Sequence, residues 1–360
     1  MKIGISLLNL RPGKVGGIET YMRKLVEHVP ALAGDDEVIF FVHRDNEHVL
    51  TPQVNRRVLN CSQRTMDIFR ALEAFTPWRA RVAERLFADS GMDVMLYPQQ
   101  SIFPKKSEIP SLLVVADVQY LLSPQYYSLF DRAFRKRAYI PSLSSCSHIA
   151  SISQFSADHL TELCGIVPEK IDVMHLGYDP IDTSAVPEKP PVDFPYFYYP
   201  AASYPHKGHA QLFRTFARLK QAGDVTQKLV LSGGQNEFWG KLKRIIKEEG
   251  LQDDVIHLGY VSYDEVKALY AGADAVLFPT EFEGFGIPVL EAVQLKKKVI
   301  CSQLPVFKEL GVPDEWQIDY VDSAQLLAAL RREGPTRLTR EPQNWQETAA
   351  QTLQILRGLS

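Results

Sequence analysis

Short apolar runs alternate with amphipathic segments along most of this 360-residue chain. In the first half, the predicted strands are 2–8, 37–43, 56–61, 93–98, 111–117, 148–153 and 171–177, and the main predicted helices are 18–28, 65–89, 128–145 and 154–164. Strands that alternate with helices are typical of a parallel sheet covered on both faces. We therefore predict a doubly wound α/β domain over residues 1–180.

The segment 181–195 interrupts this alternation, because it is rich in proline and has no periodic apolar face. Such a composition is typical of a linker. After it the pattern resumes with predicted strands at 196–201, 228–234, 255–260, 275–280, 298–302 and 316–320 and helices at 209–222, 237–249 and 263–271. We predict a second doubly wound domain over 196–342, followed by an amphipathic helix within 343–360.

Two such sheets leave a cleft between them, and the chain length also favours two domains. In open α/β sheets, ligands bind beyond the carboxyl ends of the strands, often against a helix amino terminus. The loops that follow the strands are therefore where we expect the chemistry.

Composition narrows the class of function. The net charge of −3 argues against a dedicated nucleic-acid binder. The four cysteines form no C-x-x-C pair, so we expect reduced thiols in a cytoplasmic protein and no metal site. The sequence offers no signal peptide and no apolar stretch of the roughly 20 residues that span a bilayer, so we expect membrane contact to be peripheral at most.

Two loops carry candidate anion-binding groups. Gly16 and Gly17 precede a helix after the first strand, where small residues let the backbone approach a ligand, although a purely structural turn would use the same residues. Lys207 lies just before a helix after the first strand of the second domain. There it would add a full charge to the positive helix end, which suits a diphosphate, and the alternative is a solvated lysine.

The segment "EFEGFGIPVLEA", 281–292, places two carboxylates on either side of a helix start. If Pro288 occupies the first helical position, Glu283 lies in the loop and Glu291 lies one turn into the helix. Ionised carboxylates accept hydroxyl hydrogen bonds, so acids beside free amides suit a sugar ligand. Each acid alone could also be an ordinary loop or first-turn residue.

These segments together resemble the retaining glycosyltransferases of family 4, which act on nucleotide sugars. "EGFGIPVLE" has their E-x7-E spacing and "GGIETY" resembles their glycine loop. "HKGH" resembles their phosphate lysine, and the Trp-containing last helix resembles the one that crosses back to the first domain. The resemblance covers nearly the whole chain and implies the GT-B fold, with two Rossmann-like domains facing a cleft.

The resemblance also implies residue roles. Glu283 would hold donor-sugar hydroxyls, Lys207 would neutralise the diphosphate, and Glu291 would accept from the ribose. Further donor contacts would come from Gly16, Gly17, His206, Tyr260, Val261, Phe285, Gly286 and Ile287. No metal or other cofactor is expected, because the family uses none and the sequence has no aspartate-x-aspartate pair.

Among the positions that depart from the commoner family pattern, two concern the donor site. No arginine stands shortly before Lys207, so His206 or His209 is a candidate to share its role. Ala116 stands where a histidine is frequent, which leaves Asp117 as the third catalytic candidate beside Lys207 and Glu283.

Arginines concentrate in the segment 56–85, which contains seven arginines, three acidic residues and several aromatic residues. A solvated helical face is one interpretation. The other is a surface for the acceptor or for a membrane, to which 134–139 would add.

The resulting hypothesis is a metal-independent retaining glycosyltransferase in surface polysaccharide assembly, located in the cytoplasm or at the inner membrane face. It would move a hexosyl group, with mannosyl as the first candidate, from a GDP- or UDP-linked sugar to a saccharide or lipid-linked glycan. The alternatives are a catalytically silent nucleotide-sugar-binding protein and a sugar-nucleotide epimerase.

Overall fold

The structure is a computed structural model that describes residues 1–13, 16–105, 108–182, 186 and 189–360. The chain divides into two compact units. The first comprises Met1–Gly177 and Gln343–Ser360, and the second comprises Tyr178–Pro342.

The described residues of the first unit form a seven-stranded parallel sheet in the order β3-β2-β1-β4-β5-β6-β7. Its strands are β1 (Lys2–Ser6), β2 (Glu37–His43), β3 (Arg56–Leu59), β4 (Val94–Tyr97), β5 (Ser111–Val115), β6 (His148–Ser151) and β7 (Ile171–Val173). The helices are α1 (Gly16–Leu32), α2 (Gln63–Phe75), α3 (Arg81–Ala88), α4 (Gln119–Leu122), α5 (Leu129–Ser145) and α6 (Gln154–Cys164). The strand order reverses between β1 and β4, which defines a topological switch point.

The described residues of the second unit form a six-stranded parallel sheet in the order β10-β9-β8-β11-β12-β13. Its strands are β8 (Tyr196–Pro200), β9 (Lys228–Ser232), β10 (Val255–His257), β11 (Ala275–Phe278), β12 (Val299–Ser302) and β13 (Gln317–Ile318). The helices are α7 (His209–Gln221), α8 (Trp239–Glu248), α9 (Tyr263–Gly272), α10 (Ile287–Gln294), α11 (Pro305–Glu309) and α12 (Ser323–Arg331). The switch point of this sheet lies between β8 and β11.

Burial explains why these runs form parallel strands. Every residue of β4 and β5 is buried, and β2 is buried from its second residue onward. Continuous apolar strands are typical of sheets covered by helices on both faces. The prediction of two doubly wound α/β domains is confirmed.

The last helix, α13 (Trp345–Arg357), belongs to the first unit and packs against α1. The Tyr21 and Thr352 hydroxyls lie 3.4 Å apart, and Arg357 donates to Asp36 at 2.8 Å. A Cβ on Gly177 would lie 2.4 Å from the backbone nitrogen of Trp345, so only glycine permits this close approach. An Asn344 capping box begins the helix.

Some element boundaries differ from the prediction. The single helix expected over 65–89 is two helices, because Pro77 has no amide hydrogen and disfavours helical backbone in the preceding residue. The strand expected over 316–320 is limited to Gln317–Ile318. Helix α10 begins at Ile287, so Pro288 is its second residue and not its first.

Within the part of the chain that the structure describes, no helix is both long enough and apolar enough to cross a membrane.

Candidate functional site

The switch point of the second sheet brings together the loop after β8 and the loop after β11. The His206 carbonyl accepts the Glu281 amide at 2.8 Å and the Thr280 hydroxyl at 3.1 Å. The Tyr199 hydroxyl donates to the Lys207 carbonyl at 2.8 Å. Backbone groups of the first loop are thus held by Tyr199 of β8 and by the residues that follow β11.

Gly208 allows the two loops to meet. Its φ of +69° lies in the left-handed region, and a Cβ there would lie 1.9 Å from the Pro279 carbonyl oxygen. Gly208 is also the N-cap of α7, which begins at His209, two residues after Lys207. A side chain at this position would separate the loop that carries Lys207 from the loop that carries Glu283.

Lys207 and Glu283 form an ion pair across the switch point. Lys207 Nζ lies 2.5 Å from Glu283 Oε1, and the two side chains are 21% and 20% exposed. Partial burial strengthens this attraction relative to that of a surface pair. The ammonium group and the carboxylate are held together at the edge of the sheet where ligands bind.

Two histidines flank Lys207 and carry no charge at neutral pH. Burial, together with the Lys207 charge, lowers the pKa of His206 to about 3. Burial lowers the pKa of His209 to about 3 as well, and its ring packs 4.8 Å from that of Tyr199. The positive charge of this loop therefore resides on Lys207.

The amino terminus of α10 faces the same edge of the sheet. Gly286 precedes the helix with a φ of +116°, and a Cβ there would approach Phe307 and Leu310 to 3.1 Å. Phe285 is buried and anchors the loop, while Ile287 begins the helix. The first-turn amides give this end a partial positive charge.

Glu291, one turn into α10, is held by two tyrosines of α9. The Tyr270 hydroxyl donates to Oε2 at 3.2 Å and the Tyr263 hydroxyl donates to Oε1 at 3.4 Å. Burial raises the pKa of Glu291 to about 7, although both hydrogen bonds oppose the shift. The carboxyl group therefore titrates near neutral pH.

Sequence reasoning missed both tyrosines. They are seven residues apart and lie on one face of α9, which the capping box of Ser262 and Glu265 begins. That spacing was the available signal, but nothing in the sequence linked this face to Glu291.

Tyr260 and Val261 follow β10 at the same edge of the sheet. Tyr260 is 81% exposed. A Cβ on Gly234 would lie 3.5 Å from the ring of Tyr260. An exposed aromatic ring beside a glycine turn can stack on a planar ligand.

Gly16, Gly17 and Asp117 belong to the first unit, whereas the other candidate residues belong to the second. Gly16 is the first residue of α1, which follows β1 at the switch point of the first sheet. Asp117 follows β5 and accepts the Gln119 amide at 2.9 Å.

No group of three or more His, Cys, Asp or Glu side chains that could hold a metal ion occurs among the described residues.

Two family models match consecutive parts of the chain. Residues 15–181 match the Glycosyltransferase Family 4 model, and residues 181–333 match the model of Glycosyl transferases group 1. The chain belongs to the group 1, family 4 glycosyltransferases. The family predicted from the sequence is confirmed.

Curated relatives of this glycosyltransferase include mannosyltransferases. The O-antigen chain mannosyltransferase RfbU of Salmonella typhimurium is 29% identical over 59% of this chain and 61% of that protein. The MMP alpha-(1->4)-mannosyltransferase of Mycolicibacterium hassiacum is 28% identical over 64% of this chain and 57% of that protein. The chain thus spans about three fifths of the length of the relatives it matches.

Solved structures share the fold over the whole chain. HepE of Anabaena, in complex with UDP and glucose, matches with a TM-score of 0.63 and 19% identity, covering 100% of this chain and 99% of that one. Sucrose-phosphate synthase of Thermosynechococcus elongatus matches with a TM-score of 0.68 and 16% identity, covering 99% and 98%. These neighbours establish the GT-B fold of the glycosyltransferase.

Proposed function

We propose that this glycosyltransferase transfers a hexosyl group, with mannosyl as the first candidate, from a nucleoside diphosphate sugar to a saccharide or lipid-linked glycan in surface polysaccharide assembly. The observation that carries the proposal is the Lys207–Glu283 pair at the switch point of the second sheet. The names of the Salmonella and Mycolicibacterium relatives favour a mannosyl donor.

In this proposal Lys207 contacts the diphosphate of the donor and Glu283 contacts its sugar. Cleavage of the glycosidic bond develops negative charge on the diphosphate, which Lys207 and the amino terminus of α10 stabilise electrostatically. Glu283 accepts hydrogen bonds from sugar hydroxyls. Because Glu283 pairs with Lys207, donor binding replaces that ion pair with a lysine–phosphate contact and a carboxylate–hydroxyl contact.

The nucleoside occupies the side of the site formed by α9 and α10. Glu291 accepts from the ribose hydroxyls, and Tyr260 with Val261 lies along the base. His206 and the backbone of Phe285, Gly286 and Ile287 contact the sugar and phosphates. GDP-linked mannose is the first candidate donor, and UDP-linked hexoses are the second, because HepE was solved with UDP.

The transfer retains the anomeric configuration and needs no metal ion. The acceptor hydroxyl attacks the anomeric carbon on the face that the diphosphate leaves, and the leaving phosphate oxygen takes the acceptor proton. Gly16 and Gly17 are assigned to donor binding and Asp117 to catalysis in this proposal. The domains we assign are 1–180 and 196–342, with 181–195 as the linker and 343–360 as the returning helix.

We assign acceptor binding to the first domain. The basic segment 56–85 is the candidate for contact with an acceptor or with the inner membrane face.

A panel of GDP-, UDP-, ADP- and dTDP-linked sugars, assayed for hydrolysis and for transfer to saccharide acceptors, tests the function. We expect turnover of GDP-mannose or a UDP-hexose, unaffected by EDTA and lost in Glu283→Ala. Binding without turnover would support the silent-protein alternative, and interconversion of donor sugars would support the epimerase. A donor that is turned over equally by Glu283→Ala would contradict the assigned site.

A further inference from the structure

Helix α2 lies across the carboxyl ends of the first sheet. Near its start, the Gln63 amide donates to Asp45 at 2.9 Å, after β2, and further along Asp67 pairs with Arg11, after β1. Near its end, Arg70 donates to Ser101 at 3.3 Å, after β4. The helix therefore covers the edge where an open α/β sheet binds its ligands.

The end of α2 meets the start of α5 in an apolar, aromatic surface. Phe75 stacks on Phe130 with ring centroids 5.5 Å apart. Both rings are exposed, Phe75 by 39% and Phe130 by 64%. The adjacent Leu72 and Leu129 are exposed by 36% and 81%. Soluble proteins rarely leave adjacent large apolar side chains in water without a binding partner.

Cations border this apolar surface. Arg132, Lys136 and Arg137 are exposed on α5, and Asp131 is the only acid on that helix. The Arg137 guanidinium lies 5.2 Å from the centroid of the Phe75 ring. We call Leu72, Phe75, Leu129 and Phe130 with these three cations the α2–α5 surface.

Three of the seven arginines in the basic segment 56–85 have partners within the first unit. Arg56 pairs with Glu47 at 2.9 Å and Arg79 pairs with Glu84 at 2.7 Å. Arg70 points inward toward Ser101 and packs over the Phe134 ring. These three arginines are therefore engaged by other groups of the domain, whereas the exposed cations of α5 border the apolar surface.

We propose that the α2–α5 surface docks on an anionic membrane, with Leu129 and Phe130 inserted among the lipid headgroups and the three α5 cations against anionic lipids. Apolar and aromatic side chains ringed by Lys and Arg match the chemistry of a negatively charged bilayer surface. The inference deepens the proposed function, because docking here would hold the carboxyl edge of the first sheet beside a lipid-linked acceptor.

Vesicle co-sedimentation with the full-length protein tests the docking. We expect binding to phosphatidylcholine vesicles that contain phosphatidylglycerol, weak binding to pure phosphatidylcholine, and a loss of binding with added salt. Leu129→Ser with Phe130→Ser should lower the partition coefficient on the order of tenfold. Arg132→Gln with Lys136→Gln should lower it roughly fivefold per charge and flatten the salt dependence.

Val167→Ser is the matched control, because Val167 is 58% exposed in the same unit but lies outside this surface. Circular dichroism and melting temperature establish that each variant is folded. Equal vesicle binding by Leu129→Ser with Phe130→Ser and by Val167→Ser would overturn the proposal. So would a dimer in solution that these serines dissociate, with no vesicle binding.

Transfer to a lipid-free saccharide separates this proposal from the proposed function. The serine variant should keep that activity and lose only transfer to acceptors embedded in vesicles. A wild-type protein that binds vesicles but transfers to neither acceptor would refute the function and leave the docking intact.

Discussion

At the residue scale, burial and two tyrosine hydroxyls decide how Glu291 ionises. Its pKa of about 7 in the folded protein lies above the ordinary value of 4.5, so folding favours the protonated form. The protein therefore loses stability as the pH rises through this range, and the loss is complete above the folded pKa.

Glu291→Gln should be more stable than the wild type at about pH 8, by roughly 1 to 3 kcal/mol, and should gain nothing at about pH 4. The amide is always neutral, so it avoids burying a charge. Urea denaturation at the two pH values measures the difference. A stability gain that does not depend on pH would contradict the pKa shift.

The same substitution should weaken nucleotide binding. If ribose hydroxyls donate to the Glu291 carboxylate, wild-type affinity should fall as the pH falls below about 7. Glu291→Gln should bind roughly tenfold more weakly at about pH 8, with little dependence on pH. Calorimetric titration with GDP and UDP measures both effects, and equal affinity of the two proteins would remove Glu291 from the site.

Some properties of individual site residues could be predicted from the sequence, and others could not. The spacing of Glu283 and Glu291 and the position of Lys207 before a helix were readable from the sequence. The 2.5 Å contact of Lys207 with Glu283, however, depends on the strand order of the sheet. The neutral state of His206 depends on burial, which a loop sequence does not reveal.

At the element scale, Gly208 sets how closely the two switch-point loops approach. Gly208→Ala should lower stability by at least ~2 kcal/mol, since it adds left-handed backbone strain to a clash with Pro279. Gly223→Ala is the matched control, because Gly223 has a φ of +75° and nothing within 4 Å of an added Cβ.

The difference between these two alanine variants in thermal melts isolates the loop contact from the backbone strain. Gly208→Ala should also weaken donor binding, because separating the loops separates Lys207 from Glu283. Equal stability and equal binding for both variants would mean that the loops do not need this close approach.

Element types were more predictable than element ends. Apolar runs such as those of β2 and β4 reveal buried strands, because parallel sheets are covered on both faces. The break between α2 and α3 was missed, although Pro77 marks it in the sequence. The path of α2 across the strand ends was not, because contacts such as Arg70 with Ser101 join residues 31 apart in the sequence.

At the scale of the whole molecule, the first unit is built from two separate parts of the chain. Trp345, Leu353 and Leu356 of α13 are buried, and Trp345 lies 6.3 Å from the Tyr21 ring of α1. The periodicity of this last helix predicted an apolar face. The resemblance to the family, and not the periodicity, indicated which domain would receive it.

Ending the chain at Pro342 should destabilise the first unit selectively. Losing one buried Leu or Trp typically costs about 2 to 5 kcal/mol, and this truncation removes several. In calorimetry we expect the melting temperature of the first unit to fall and that of the second unit to stay the same. Added nucleotide should still raise the melting temperature of the second unit. A control chain ending at Arg357 should melt like the wild type, and an unchanged melt of the truncated chain would contradict the packing of α13.

Lys207 and Glu283 form the proposed donor site, and a comparison of two lysines tests this assignment. Lys220 pairs with Asp254 at 2.7 Å, with side chains 19% and 24% exposed, so its burial matches that of the Lys207 pair. It lies at the other end of α7, roughly 20 Å away along the helix.

The measurement is the rate of glycosyl transfer from the preferred nucleotide sugar by Lys207→Ala and by Lys220→Ala. Loss of Lys207 should lower kcat/KM by about 100-fold or more, because the developing diphosphate charge goes unstabilised. Lys220→Ala should stay within a few fold of wild type while losing some stability. Equal activity of the two variants would contradict the assignment of the site.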